Sequence, residues 1–359
     1  MLTIFTRSAA LAFTVFTVIG CGGSRSNDPV QPTQASLEKS LQQVVDERII
    51  PAVQEFETQV LAYGAAATGF CALQDEAALQ TLQNGWKSLA QSWYRLLPYN
   101  FGPLKNDLVF PNFMFIDSYR LRGTHYLATV AEEIARIIEA DGPVEADYFE
   151  NLSFQKGGLL ALEVLSFQSE DGVQDNEEIL FSYVVAAKRC DLLLGHASRL
   201  SERAGELREG WLQSFSDTGV AYRQLFLSDN LPDDTPNLTA LLGAAQEYLD
   251  YLKQREVVDN VATLSGNAWS LVNASIIEIK TMLYGNTQDQ FNFIAVMSSA
   301  GRDQEAAVVS DNLEFIFNSI QQQNSADFGV GVSLLDGNFK REIPNGLDVD
   351  LGITFTDGD

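Results

Sequence analysis

The chain is poor in histidine. Its 359 residues include two, His125 and His196, and neither is followed by a carboxylate at the third or fourth position. There is no H-E-x-x-H pair, no H-x-x-E, and no G-x-S-x-G elbow around a serine. A zinc hydrolase commonly needs three protein ligands, an open coordination position and a general base, so this scarcity argues against one. Basic residues are also few: 23 against 48 acidic ones, for a formal charge of −25. Such a surface repels nucleic acid and anionic lipid headgroups, which excludes both as expected partners. A preference for cations is open to it, but so is a plain solvated surface. Past the N-terminus no segment is long and apolar enough to cross a membrane.

What is present begins with an export pattern. Arg7 supplies a positive start, and Ala9 to Ile19 form an apolar stretch too short to span a bilayer. It ends in Val18-Ile19-Gly20-Cys21, similar to the lipobox that is cleaved before its cysteine. Residues 1–20 are therefore expected to be a lipoprotein signal and Cys21 the lipidated first residue of the mature chain. An ordinary cleaved signal with an incidental cysteine is the alternative. No Asp follows the cysteine directly, so the expected location is the periplasmic face of the cell envelope, anchored by lipid to the outer membrane. Residues 21–34, small, polar and marked by prolines, read as a flexible tether. Of the three cysteines, Cys71 and Cys190 remain. An oxidising compartment makes their pairing possible, and it would close a loop of about 120 residues, contributing roughly 4–5 kcal/mol in the chain-entropy model. Two separate buried thiols are the alternative.

The body reads as helix after helix, an all-α protein. Ser36 to Tyr63 is the first, with Ser36 as N-cap and a kink or break at Pro51. Asp75–Leu97, Asp117–Ala140 and Gln155–Phe167 follow, the third stopped by Asp141-Gly142-Pro143. Leu180, Tyr183, Val184, Ala187, Cys190 and Leu194 keep the 3-and-4 spacing of one long helix. Further helices are expected over Arg208–Leu227, Asn237–Gln254, Ala268–Tyr284 and Gln288–Gln322. Short connections favour antiparallel packing. The expectation is two helical-bundle halves of about four helices each, 35–172 and 173–325. Residues 326–359, glycine-rich and β-branched, are expected to form an extended tail on this body.

Within Gly157 to Phe167 every side chain is apolar or small except one. Glu163 shares a helical stripe with Leu160 and Phe167. A carboxylate so placed is expected to be buried and must meet a cation, a metal or hydrogen-bond donors. It is the foremost candidate ligand-binding group, with a purely structural ion pair as the competing reading. Arg95 and Lys156 are candidate counter-ions for Glu163 or Asp117, or else surface charges whose stems cover apolar area. Trp86 and Trp93, seven apart, share a helix face, as core or as pocket lining. His125 could approach Glu163 as a second metal ligand, with Glu132 two turns along its helix.

Several segments together resemble the imelysin family of bacterial envelope lipoproteins. They are Trp86-Lys87-Ser88-Leu89-Ala90-Gln91-Ser92-Trp93-Tyr94-Arg95 with Phe101-Gly102-Pro103, then Ile116-Asp117-Ser118-Tyr119, Lys156 to Leu165, and the closing Asp357-Gly358-Asp359. In Lys156 to Leu165, Gly158 and Glu163 match the family's G-x-H-x-x-E signature, but Leu160 stands at the histidine position. The resemblance implies two helical bundles, a site around Gly158, Glu163, Lys156, Asp117, Arg95, Trp86 and Trp93, and a link to iron acquisition. Histidine and glutamate one turn apart can grip one metal, iron or zinc; leucine cannot. The expected function is a non-catalytic binding or accessory protein for iron or another ligand, acting with an envelope protein, a small ligand or a metal. The alternatives are a metallopeptidase, the activity historically attached to the family, and a structural lipoprotein that docks a partner.

Overall fold

The computed structural model describes residues 32–118, 125–286 and 291–351. The signal segment, Cys21, most of the tether and the closing Asp357-Gly358-Asp359 lie outside them. Among the described residues every regular element is helical.

Helix α1, Gln34–Val44, is capped by Thr33, which accepts from the Ser36 amide, so the cap falls three residues before the expected Ser36. Pro51 does not break the chain. A π turn over Val45–Ile49 carries α1 directly into α2, Ile50–Leu73, and places Pro51 in the first turn of α2. Wider hydrogen-bond spacing there accommodates a ring that lacks an amide proton. Gln74 in the left-handed region and Asp75, accepting from the Ala78 amide at 2.8 Å, turn the chain into α3, Glu76–Leu96.

Helix α4 spans Leu127–Glu139, shorter than the expected Asp117–Ala140. Asp117 itself is extended and ends the short helix Asn112–Ile116. Helix α5 is Gly158–Phe167. The single helix expected across Leu180 to Leu194 is two, α6 at Asn176–Val185 and α7 at Lys188–Leu212, with non-helical dihedrals at Ala186 between them. The break leaves Val184 exposed, while Tyr183 and Leu193 stay buried. Helices α2, α3, α5 and α7 pack together, so α7, which begins after residue 172, lies against helices that precede it.

Helices α8, Asn237–Arg255, α9, Ala268–Tyr284, α10, Asp303–Gln322, and α11, Ser325–Lys340, form the remainder, with α9 lying against α3. One continuous apolar core runs through both groups. The tail expected to be extended is thus helical through Leu347, where the short helix Glu342–Leu347 ends. Phe328, Val332, Leu335 and Phe339 are buried at helical spacing. Gly331 is not a strand residue but a point of close approach: a Cβ there would sit 2.6 Å from the Ile316 side chain of α10.

Candidate functional site

Helix α5 is buried along nearly its whole length, and neighbouring polar groups fasten its backbone. Trp86 Nε1 donates to the Leu159 carbonyl at 3.0 Å, and Tyr183 Oη donates to that of Leu165 at 2.7 Å. Gln83 Nε2 donates to the Ser166 carbonyl at 3.1 Å, while Tyr63 Oη and Ser166 Oγ lie 2.8 Å apart. The helix begins where the chain presses against Phe115 and Ile116. Gly158 has φ +68°, and a Cβ on it would lie 2.4 Å from the Ile116 carbonyl oxygen. Only glycine meets both conditions.

Glu163 is 0% exposed. One carboxylate oxygen accepts from the Ser265 backbone amide at 3.0 Å. Ser265 lies in the turn between the short helix Val257–Asn260 and α9, and its hydroxyl donates to the Ala262 carbonyl at 3.2 Å. The same turn region meets His125, whose Nε2 lies 2.7 Å from the Asn260 carbonyl oxygen. The motif carboxylate therefore joins α5 to a segment of the α8–α9 group. Leu160, also 0% exposed, offers no donor atom where the signature has histidine.

The two expected counter-ions serve other carboxylates. Lys156 Nζ is 3.0 Å from Glu133, which Arg136 also grips through two nitrogens at 2.7 and 3.0 Å. Arg95 lies 3.5 Å from Glu278. Asp117 is buried and accepts from Trp93 Nε1 at 2.9 Å. Trp86 and Trp93 are both buried in the core, their indole N–H groups spent on Leu159 and Asp117. Cys71 of α2 and Cys190 of α7 are bonded, with Cα atoms 5.7 Å apart.

Among the described residues no three His, Cys, Asp or Glu side chains cluster closely enough to hold a metal ion. His125 reaches a backbone carbonyl and Glu163 a backbone amide. The amide occupies one of the carboxylate's several acceptor sites, and Leu160 supplies no ligand one turn away.

Three features escaped the sequence reading. Ser265 contributes a backbone amide, which leaves no side-chain signature. Glu278, buried, collects Arg48, Arg95 and Tyr99 from distant parts of the chain. His196, 2% exposed, is enclosed by the rings of Tyr148 and Phe149. Gly195 beside it makes the enclosure possible, since a Cβ there would overlap the Phe149 ring at 2.1 Å.

Burial lowers the His196 pKa to about 4, the nearby Glu133 charge opposing that shift. Glu133 falls to about 2, chiefly through its bond to Arg136, which outweighs burial, with Lys156 adding to the effect. Both groups bind protons more readily in the unfolded chain. The stability that His196 contributes as a neutral ring is present above its ordinary value of 6.5 and is lost towards pH 4. That of Glu133 is present above 4.5 and is lost towards pH 2. Stability should therefore fall in two steps on acidification. A urea titration repeated between pH 7 and 3 checks this: His196→Phe should flatten the upper step alone.

The helical fold and the α5 carboxylate together define a protein built around one buried, hydrogen-bonded acidic motif. The Imelysin family model matches residues 49–326, and the chain belongs to that family. A crystal structure of an imelysin-like protein from Psychrobacter arcticum 273-4 superposes with TM-score 0.72 at 16% identity, covering 90% of this chain and 99% of that one. A protein from Parabacteroides distasonis ATCC 8503, described as an iron-regulated protein A precursor, gives TM-score 0.65 at 15% identity, covering 89% and 96%. No curated protein matches the chain.

Proposed function

We propose that this chain is a lipid-anchored envelope protein that works by binding rather than by catalysis, in the uptake of iron or another ligand. The observation that carries the reading is the α5 motif itself. Leu160 stands where a ligating histidine would be, and Glu163 is committed to the Ser265 amide across two groups of helices. A carboxylate held in that way links the two groups, and Leu160 cannot serve as the signature's histidine does one turn away. The iron connection draws on the family and on the name given to the Parabacteroides protein. The export pattern ending at Cys21 supports the anchor.

A partner-docking role is the second reading, favoured by the exposed run Leu108-Val109-Phe110 beside the Phe-Gly-Pro segment. The test is a peptidase assay on the purified chain with and without chelator, together with fractionation of cells that carry Cys21→Ser. The expected results are no chelator-sensitive cleavage and a shift of the variant from membrane to soluble fractions. Cleavage that disappears in Glu163→Gln would sink the non-catalytic reading, and an unshifted Cys21→Ser variant would sink the anchor.

A further inference from the structure

The first turn of α5 opens into a small cleft that the motif does not use. No side chain caps this helix: Gly157 holds the N-cap position, so the first-turn amides get no side-chain acceptor. Across the cleft runs one face of α7, carrying His196, Arg199 and Arg203 at helical spacing. In a chain with 23 basic residues against 48 acidic ones, that concentration of donors is local and unusual.

The donors facing the cleft are incompletely used. His196 Nε2 is buried and has no hydrogen-bond partner, and the same holds for Arg203 Nε. The Arg203 guanidinium is held in place rather than consumed. It stacks 4.7 Å from the Phe115 ring and donates through one nitrogen to Asn112 at 2.9 Å and to Glu206 at 3.1 Å. Arg199 pairs with Glu202. Glu202 and Glu206 are both about half exposed, and such surface pairs bind weakly enough to share their arginine. An arginine has five donors in a fixed fork, so one surface glutamate leaves capacity for a second acceptor. Glu150 is the acidic group at the rim, and it limits the charge of what can enter.

We propose that this cleft binds a small oxyanion, a phosphate or carboxylate group, between the N-terminus of α5 and the His196–Arg199–Arg203 face of α7. A helix N-terminus offers amide protons and positive potential to an anion. The arginines add charge-assisted bonds, and the ring of His196 supplies a further donor or acceptor that now lacks a partner. The cleft is small, about 30 Å³, which suits the head of such a group and not a large body. The remainder of a ligand would lie against Phe115 and Phe154, which also line the cleft. The site does not depend on metal at the motif, and its test stands whether or not the chain is lipid-anchored.

Isothermal titration of the purified chain with inorganic phosphate, and separately with citrate, tests the inference. At least one of the two should bind at a single site, raise the thermal midpoint, and be weakened about tenfold in Arg203→Gln and in Arg199→Gln. Phosphate alone would identify a phosphate group as the ligand chemistry, and citrate alone a carboxylate. Arg199→Gln alters a partly exposed side chain, so its unliganded thermal midpoint should match that of the parent and separate lost binding from lost folding. Arg208→Gln, on the same helix but paired with Glu57, should bind like the parent. Binding of neither anion at millimolar concentration, or binding that both Arg199→Gln and Arg203→Gln leave unchanged, would overturn the proposal.

Discussion

Replacing Glu278 with alanine is expected to cost about 3–5 kcal/mol of folding stability, the largest effect of any single side chain outside the apolar core. Glu278 is 1% exposed on α9. Arg48 grips both its oxygens at 2.8 and 3.0 Å, Tyr99 Oη donates at 2.9 Å, and Arg95 approaches to 3.5 Å. Burial works against the charge on Arg48, yet the bonds to Glu278 carry its pKa above the ordinary value. Burial, then the Glu278 charge, pushes the Tyr99 hydroxyl well above its ordinary range, so Tyr99 serves as a donor. Removing the carboxylate strands a half-buried guanidinium and a fully buried phenol together, and the cost is mostly that of leaving them unanswered. Urea denaturation of Glu278→Ala should show a lower midpoint with an unchanged slope. Adding Arg48→Met to Glu278→Leu should recover most of the loss, because a buried pair replaced by apolar groups is often near neutral. A Glu278→Ala variant within 1 kcal/mol of the parent would mean that water reaches the cluster and screens it.

The Glu278 cluster also marks the limit of what the sequence discloses. Its members come from positions 48, 95, 99 and 278; Arg95 and Tyr99 lie one turn apart, but nothing in the spacing links them to Arg48 or Glu278. Arg95 and Lys156 were plausible partners for Glu163 on charge alone. The chain has 48 carboxylates to choose from, and three-dimensional packing gave Arg95 to Glu278 and Lys156 to Glu133. The burial of Glu163 was legible because local periodicity decides it: Leu160, Val164 and Phe167 surround it within one turn either way. Its Ser265 partner was not, since any residue can present a backbone amide. Residues 328–339 misled for a different reason. β-branched residues favour strands and glycine disfavours helix, but burial at 328, 332, 335 and 339 follows the helical period, and Gly331 lets α11 approach α10. Packing overrode propensity.

Reducing the Cys71–Cys190 bond, or replacing both residues with serine, is expected to lower stability by about 2–5 kcal/mol. The two residues are 119 positions apart, so the bond closes a long loop in the unfolded chain. The chain-entropy estimate for such a loop is roughly 4–5 kcal/mol, and it acts by restricting the unfolded ensemble. In the folded state α2 and α7 are already packed along one another, so the fold itself should survive reduction with its helical content intact. The loss should appear as a lower urea midpoint with a steeper denaturant dependence, since the uncrosslinked chain exposes more surface on unfolding. The same reasoning separates this bond from the Glu278 cluster: there the cost is native-state desolvation, and the slope should not change. The two effects arise in different states, and the sites are distinct, so their free energies should add in the combined variant. A reduced chain as stable as the oxidised one would show that native packing between α2 and α7 already persists in the unfolded ensemble.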